Sequence, residues 1–231
     1  WTLHCDFGIA KQIFAQNLKY YLDKTNAGTY LIVFSDMLNF RKQIDDSYKS
    51  YRKSIRKPVC YKALRTWIEK TYPCKSYPNL EADDTIGILA TGEYKDKCVI
   101  ISGDKDMRTI PAWHCSIIDN QIEKVDLKLA DYHFCTQTLT GDQTDGYKGC
   151  IGVGHVKASR ILDPKKDIDA NWKSVIEEFL RNKMTVEDAY HQGRLARILR
   201  HGEYTTRNNQ PKLWSYKYGQ YKNIGHSKKA S

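Results

Sequence analysis

The sequence predicts an α/β protein, a mostly parallel sheet flanked by helices, with a helical region following it. Three observations predict this. An unbroken apolar run at 30–34 and a second apolar segment at 98–102 read as buried strands of a parallel sheet. Segments with apolar residues at helical spacing alternate with them. After about Thr140 the pattern changes, and Gly141, Gly146, Gly149, Gly152 and Gly154 crowd into a short stretch.

The elements follow in order. From Asp6 to about Lys24, Ile9, Ile13, Phe14, Leu18 and Leu22 keep helical spacing. Gly28 breaks it, and the first apolar run ends at Ser35-Asp36. A basic segment, 41–57, carries Arg41, Lys42, Lys49, Arg52, Lys53, Arg56 and Lys57 with Tyr48 and Tyr51 between them, and Pro58 closes it. Residues 60–72 read as a helix with Leu64, Trp67 and Ile68 inward. Another opens at Leu80-Glu81-Ala82-Asp83-Asp84, with Ile86, Leu89 and Ala90 on its core face. The second apolar run, a candidate sheet neighbour of the first, leads into Gly103-Asp104-Lys105-Asp106, and a short strand is expected at 114–118. Helical patterns return at 171–181 and 185–200. Three parts result: a sheet domain at 1–139 that includes the basic segment, a helical region at 140–215, and a flexible basic tail at 216–231.

The bulk numbers narrow the function classes. The chain has 231 residues, 41% apolar, enough for a sizeable core, and a formal charge of +10, which favours a polyanionic partner. No apolar stretch is long enough to cross a membrane, so no membrane partner is expected. The seven cysteines are scattered and form no CxxC pair, which argues against a zinc site or a disulfide framework and for a reducing cytoplasm.

The acids are clustered. Asp36, Asp104 and Asp106 follow the two apolar strands, and ligands of open parallel sheets sit beyond the strands' carboxyl ends. Glu81, Asp83 and Asp84 lie in a first helical turn that can face the same crevice. Carboxylates gathered this way repel one another unless a cation lies between them, and Mg²⁺ is a hard cation that takes such oxygens. Two ions can bracket a phosphate. Each group has a plainer reading: first-turn acids offset the helix dipole, and an Asp after a strand is often a turn residue or cap.

The segment from Gly141 to Gly149, followed by 150–162, looks like a helix-hairpin-helix whose second helix starts near Gly154. Its backbone at Gly149, Gly152 and Gly154, with Lys157 a turn later, would hold phosphates without reading bases. Asp142 and Asp145 would share a face if this stretch is helical, as further metal ligands or as caps. A plain loop or a nucleotide-binding glycine loop is the alternative, though no strand precedes it. In the basic segment Arg41, Tyr48 and Lys53 suit DNA, with tyrosine stacking on unpaired bases; a solvated helix face is equally open.

Together these residues resemble the flap endonuclease superfamily, 5′→3′ exonucleases with a PIN-like fold and a helix-hairpin-helix, and within it the gene-six type exonucleases of short-tailed bacteriophages. The resemblance spans nearly the whole chain. It rests on Val33-Phe34-Ser35-Asp36, Tyr48-Lys49 with Arg52, Leu80-Glu81-Ala82-Asp83-Asp84, Ile101-Ser102-Gly103-Asp104-Lys105-Asp106, Gly141-Asp142 with Thr144-Asp145-Gly146-Tyr147, and Ala196-Arg197-Ile198-Leu199-Arg200. The resemblance implies that Asp36, Glu81, Asp83 and Asp104 hold a first Mg²⁺ and Asp106, Asp142 and Asp145 a second, with Asp84 nearby and Mn²⁺ able to substitute. It implies that Lys49 and Arg52 contact the scissile phosphate from a helical arch, and that the hairpin carries a K⁺ ion. The implied substrates are duplex DNA with a free 5′ end or flap and RNA–DNA hybrids. The implied setting is phage replication and host DNA degradation, in the host cytoplasm and alongside phage replication proteins. A PIN-type ribonuclease and a non-catalytic helix-hairpin-helix DNA-binding protein are the competing readings. The family also opens with an apolar strand ending in a ligand Asp, which has no counterpart here; a further N-terminal segment is therefore expected ahead of Trp1.

Overall fold

The computed structural model describes residues 4–51 and 55–216. Helix α1, Phe7–Thr25, starts where Asp6 accepts a hydrogen bond from the Ile9 N–H at 3.0 Å and stops at Asn26, which turns into the left-handed region at φ 52°. Its apolar stripe lies on helix α3, Tyr61–Thr71, where Phe14 meets the edges of Trp67 and Tyr72. No residue of α1 is buried, so the stripe is only partly covered.

The sheet is divided. Strand β1, Ile32–Val33, pairs in parallel with β2, Cys74–Lys75. Strand β3, Val99–Ser102, pairs in parallel with β4, Ala112–Ser116, which pairs antiparallel with β5, Ile122–Val125. Both long apolar runs do form strands, but in separate sheets and not as neighbours. Nor are they buried on both faces: Ile32 and Val33 are half-buried and Ile101 is exposed. The missed strand β2 has only two residues and no apolar run, and its register comes from the partner strand. The expected strand at 114–118 lies two residues earlier, at 112–116, and ends there because 117–119 form the turn into β5.

Between the sheets, short helix α2, Arg41–Ile44, opens the basic segment, and α4, Ala82–Thr91, carries the acidic turn. A 3₁₀ turn, Lys105–Thr109, follows β3. The remainder is helical: α5, Leu127–Thr140; α6, His155–Ile161; α7, Ile168–Arg181; and α8, Val186–Ala196. The helix expected over 185–200 ends at Ala196, and 197–200 runs on without helix or strand. Leu199 packs there with Phe40 and Leu80, and Ile198 with Ile100 and Ile110. A small hairpin, β6 at Tyr204–Thr205 and β7 at Gln210–Pro211, follows.

The largest core joins α5, α6, α7 and α8. Trp172 stacks on Phe134 with ring centroids 5.8 Å apart, and Val175, Ile176 and Phe179 are fully enclosed beside them. Burying each such side chain contributes roughly 2–3 kcal/mol. Helix α5 lies inside the part read as the sheet domain, yet its buried face belongs to this helical core, so the expected division near Thr140 cuts through shared packing. Tyr48, from the basic segment, belongs to the same core.

Candidate active site

The acidic turn at the start of α4 is built around one buried guanidinium. Arg41 donates to Asp84 through Nη1 at 2.7 Å and Nη2 at 2.8 Å, to Glu81 at 3.3 Å, and through Nε to the Leu195 carbonyl at 2.9 Å. Asp84 also accepts from the Leu199 N–H at 3.1 Å and from the Glu81 N–H at 3.3 Å, closing a capping box. Arg41 and Asp84 are buried. Neither fits its sequence reading: a base bonded on all sides cannot hold DNA, and a saturated, enclosed carboxylate has no oxygen left for an ion. Together they anchor α2, α4 and the 195–199 segment.

Tyr48 departs from expectation in the same way. It is 2% exposed, so its ring cannot stack on a nucleotide. Its hydroxyl lies 3.0 Å from Glu81 Oε2 and 3.1 Å from Asp145 Oδ2, and its single proton can go to one at a time. Lys49 follows in the left-handed region at φ 52°, with its N–H donating to the Asp145 carbonyl at 2.8 Å. That twist turns its side chain inward, and Nζ stands 2.7 Å from Glu81 Oε1 and 3.2 Å from Asp145 Oδ2. Gly146, at φ +83°, lets the 142–147 loop come this near: a Cβ there would meet the Ser47 carbonyl oxygen at 3.1 Å.

The acids after β3 complete the cleft. Asp104 caps the 3₁₀ turn, accepting from the Asp106 N–H at 2.9 Å, and Asp106 Oδ1 is buried with no hydrogen-bond partner among the described residues. Glu81, Asp83, Asp104, Asp106 and Asp145 line one cavity of about 20 Å³ together with Lys49, Tyr48 and Tyr147. That is room for a single water or ion. Burial pushes the Asp83 carboxyl up to about 7, helped by the charges of Glu81 and Asp84 and opposed by Lys49. Burial, then the charges of Asp104 and Asp142, push Asp106 up to about 6. For Glu81, burial pushes upward, but Arg41 and Lys49 overcome it and hold the carboxyl below its ordinary range.

The side chains of this cavity able to ligate a cation are all oxygen donors, two of them pushed upward by burial and one with an orphaned oxygen, which suits a hard divalent cation. Among the described residues, however, no three carboxylate, imidazole or thiol side chains close together as a metal cage. The Lys49 ammonium stands between two of the acids.

Asp36 and Asp142, like Asp84, lie outside this cavity. Asp36 spends both oxygens on backbone N–H groups, of Met37 at 2.7 Å and Asn79 at 2.8 Å. Asp142 and Asp145 are not on a helix, because Asp142 folds its own loop by accepting from the N–H groups of Thr144 at 2.7 Å and Asp145 at 3.2 Å. Asp142 acts on the cavity through its charge. Arg52 and Lys53 lie outside the described residues. Nothing in the sequence marked Arg41 and Tyr48 as interior, since inside a basic run they look like the other bases and aromatics.

The glycine segment is a loop between α5 and α6, with no helix inside it. Gly149 is structural: at φ +67° a Cβ would fall 2.3 Å from Gly141 N, and its own N–H donates to Gln192 at 2.8 Å. Gly152 and Gly154 face open space immediately before α6. Lys157 is ion-paired at 2.7 Å with Glu178, which is fully buried, and so spends part of its charge internally.

Residues 9–136 match the family model of the 5′-3′ exonuclease, N-terminal resolvase-like domain. The exonuclease of Escherichia phage T7 is 31% identical over 93% of this chain and 84% of its own length. The exodeoxyribonuclease of Enterobacteria phage T3 is also 31% identical, over 93% of this chain and 83% of its own. Among solved structures, the bacteriophage T5 flap endonuclease in complex with DNA and metal ions superposes with a TM-score of 0.60 at 16% identity. That match covers 80% of this chain and 79% of the other, and it bears on the fold.

Proposed function

The chain belongs to the 5′-3′ exonuclease family, and from that premise we propose that its acidic cleft hydrolyses phosphodiester bonds of DNA from a 5′ end or at a 5′ flap. The observation that carries this is the convergence of Glu81, Asp83, Asp104, Asp106 and Asp145 around Lys49 in one small cavity. Glu81, Asp83 and Asp104 would hold one Mg²⁺, and Asp106 and Asp145 would hold a second once the cleft widens beyond the single-ion space it has here, with Asp142 adding charge; Mn²⁺ offers the same preference for oxygen. When bound, such ions supply an activated water and offset the charge building on the phosphate.

The rest is done by the chain. Asp83 and Asp106 are pushed upward by burial and by neighbouring carboxylates, a crowding of negative charge that a cation placed among them would relieve. Tyr48 orients Glu81 and Asp145 from a ring fixed in the core. Lys49 is a cation within reach of both acids, placed to donate to a phosphate oxygen that enters the cleft. Gly152 and Gly154 leave backbone open to the duplex, and a K⁺ ion held by carbonyls of that loop would suit phosphate contact. RNA–DNA hybrid would be the second substrate, since the side chains described in this cleft face a phosphate rather than a base. Arg52 and Lys53, which follow Lys49 closely in the sequence, would supply further charge for the DNA backbone.

The test uses a 5′-labelled duplex and a matching hybrid, with Mg²⁺ and with a chelator. Release of label that requires the metal and is lost in Asp104→Ala, with DNA affinity kept or raised, is the expected result. Near-normal turnover by Asp104→Ala would show that the reaction occurs elsewhere. Cleavage of single-stranded RNA in preference to both duplexes would favour the ribonuclease reading.

A further inference from the structure

Lys49 stands where a cation is needed, and it is itself a cation. Its ammonium lies 2.7 Å from Glu81 and 3.2 Å from Asp145, its side chain is 10% exposed, and those of the two acids are 16% and 15% exposed. The contact is not a swing of a loose side chain. The Lys49 backbone is fixed in the left-handed region and bonded to the Asp145 carbonyl, and the ring of Tyr48 lies 5.0 Å from Nζ. Glu81 is drawn to it on one oxygen while Arg41 and Tyr48 draw the other. Glu81 and Asp145, which the proposed function places on two different ions, are therefore bridged by one lysine.

We propose that Lys49 serves as an internal counter-ion that competes with divalent metal for Glu81 and Asp145, so that the free protein loads metal weakly until a phosphate draws the lysine out of the cleft. This rests on the metal-dependent reading of the cleft. The charge count supports it. Among the described residues, five acids share the cavity, and Lys49 and Arg41 are the bases that line it. Arg41 is locked to Asp84 and two backbone carbonyls, leaving Lys49 as the base able to leave. The cavity has room for about one ion, and vacating the ammonium enlarges it where two acids would face the metal. An entering phosphate offers the ammonium a new partner and brings its own charge for the metal, so substrate and metal uptake reinforce each other.

The test measures Mn²⁺ binding to the DNA-free protein by electron paramagnetic resonance or calorimetry, in wild type and in Lys49→Met. Removing a unit charge a few ångströms from two ligands should tighten Mn²⁺ binding by about tenfold or more, against the loss expected of a variant that merely damages the site. Equal or weaker binding by a folded Lys49→Met overturns the proposal while leaving the metal reading intact. Absence of Mn²⁺ binding in both proteins overturns the metal reading itself, and with it this one. If the variant melts too low to assay, wild type carries the test. The Lys49 side-chain ammonium should give a proton NMR signal protected from exchange in metal-free protein and lose that protection as Mg²⁺ is added. An unprotected signal without metal, or one still protected at Mg²⁺ concentrations shown by calorimetry to saturate the site, overturns the proposal.

Discussion

Asp83 shows most directly what the cleft costs the protein. Its carboxyl is raised to about 7 by burial and by neighbouring acids, whereas an unfolded Asp ionises near 4. A carboxylate whose folded pKa is raised destabilises the fold wherever it is forced to ionise. The penalty begins above the unfolded value, grows through the interval between the two, and is complete above the folded value. Asp83→Asn should therefore stabilise the metal-free protein by about 1 kcal/mol or more at pH 8. The gain should shrink steadily below pH 7 and vanish near pH 4. Urea melts of both proteins across that range check this; a gain that grows toward acid pH would reverse the assignment. Lys49 belongs to the same scale. Lys49→Ala should lower the single-turnover cleavage rate by about a hundredfold while weakening duplex affinity far less, because a positioned donor acts mainly in the transition state. The reverse split, measured by rapid quench and by binding titration, would move Lys49 to the general binding surface.

At the scale of elements, two close approaches decide whether the cleft exists. Helix α4 meets the 197–200 segment at Gly87, where a Cβ would fall 2.3 Å from the Leu199 carbonyl oxygen. Gly87→Ala should cost about 2–3 kcal/mol through displaced backbone, and it should loosen Asp84, which accepts from the Leu199 N–H in the same contact. A thermal melt within 2 °C of wild type would mean that the contact yields at little cost. The turn before α6 behaves differently. Gly154 sits at φ −98° in open space at the N-cap of α6, so Gly154→Val should cost the fold no more than about 1 kcal/mol and weaken DNA binding equally on unrelated sequences. Loss on some sequences only, in a panel of duplexes, would indicate base reading. These two glycines also show what the sequence could reveal. The apolar runs, the acidic first turn at Glu81 and the loop before α6 were visible, because each is a local pattern with a local cause. The pairing of 74–75 with 32–33, the division of the sheet and the end of α8 at Ala196 were not. Each is settled by contacts between segments far apart in sequence.

The whole molecule combines a basic exterior with an acidic cleft, and the two should separate by salt. With a formal charge of +10, duplex affinity should fall steeply with ionic strength, by roughly a thousandfold between 50 and 200 mM salt if about six phosphates are contacted. The rate of the bound complex should change little, since Lys49 and its acids are 10–16% exposed and screened less than the surface. A bound-state rate that falls in step with affinity would place the reacting groups at the surface. Most of the cleft's acids were legible in advance because Asp104, Asp106, Glu81 and Asp83 end strands or begin helices. Arg41, Tyr48 and Asp84 were misplaced because charge or aromaticity in a sequence does not say which side of the surface a residue takes.

Tyr48 joins two regions that its place in the chain would keep apart. Its ring is part of the core formed by α5, α6, α7 and α8, and its hydroxyl touches two acids of the cleft. The helical half is therefore not an appendage that can fray while the nuclease goes on working. Warming that loosens the packing around Phe134 and Trp172 releases the tyrosine, and the acids lose their alignment at the same moment. Heat inactivation should accordingly have no foothill: residual activity plotted against temperature should fall on the same curve as the loss of tryptophan burial. A protein paused halfway through melting should be no nuclease at all, rather than a sluggish one.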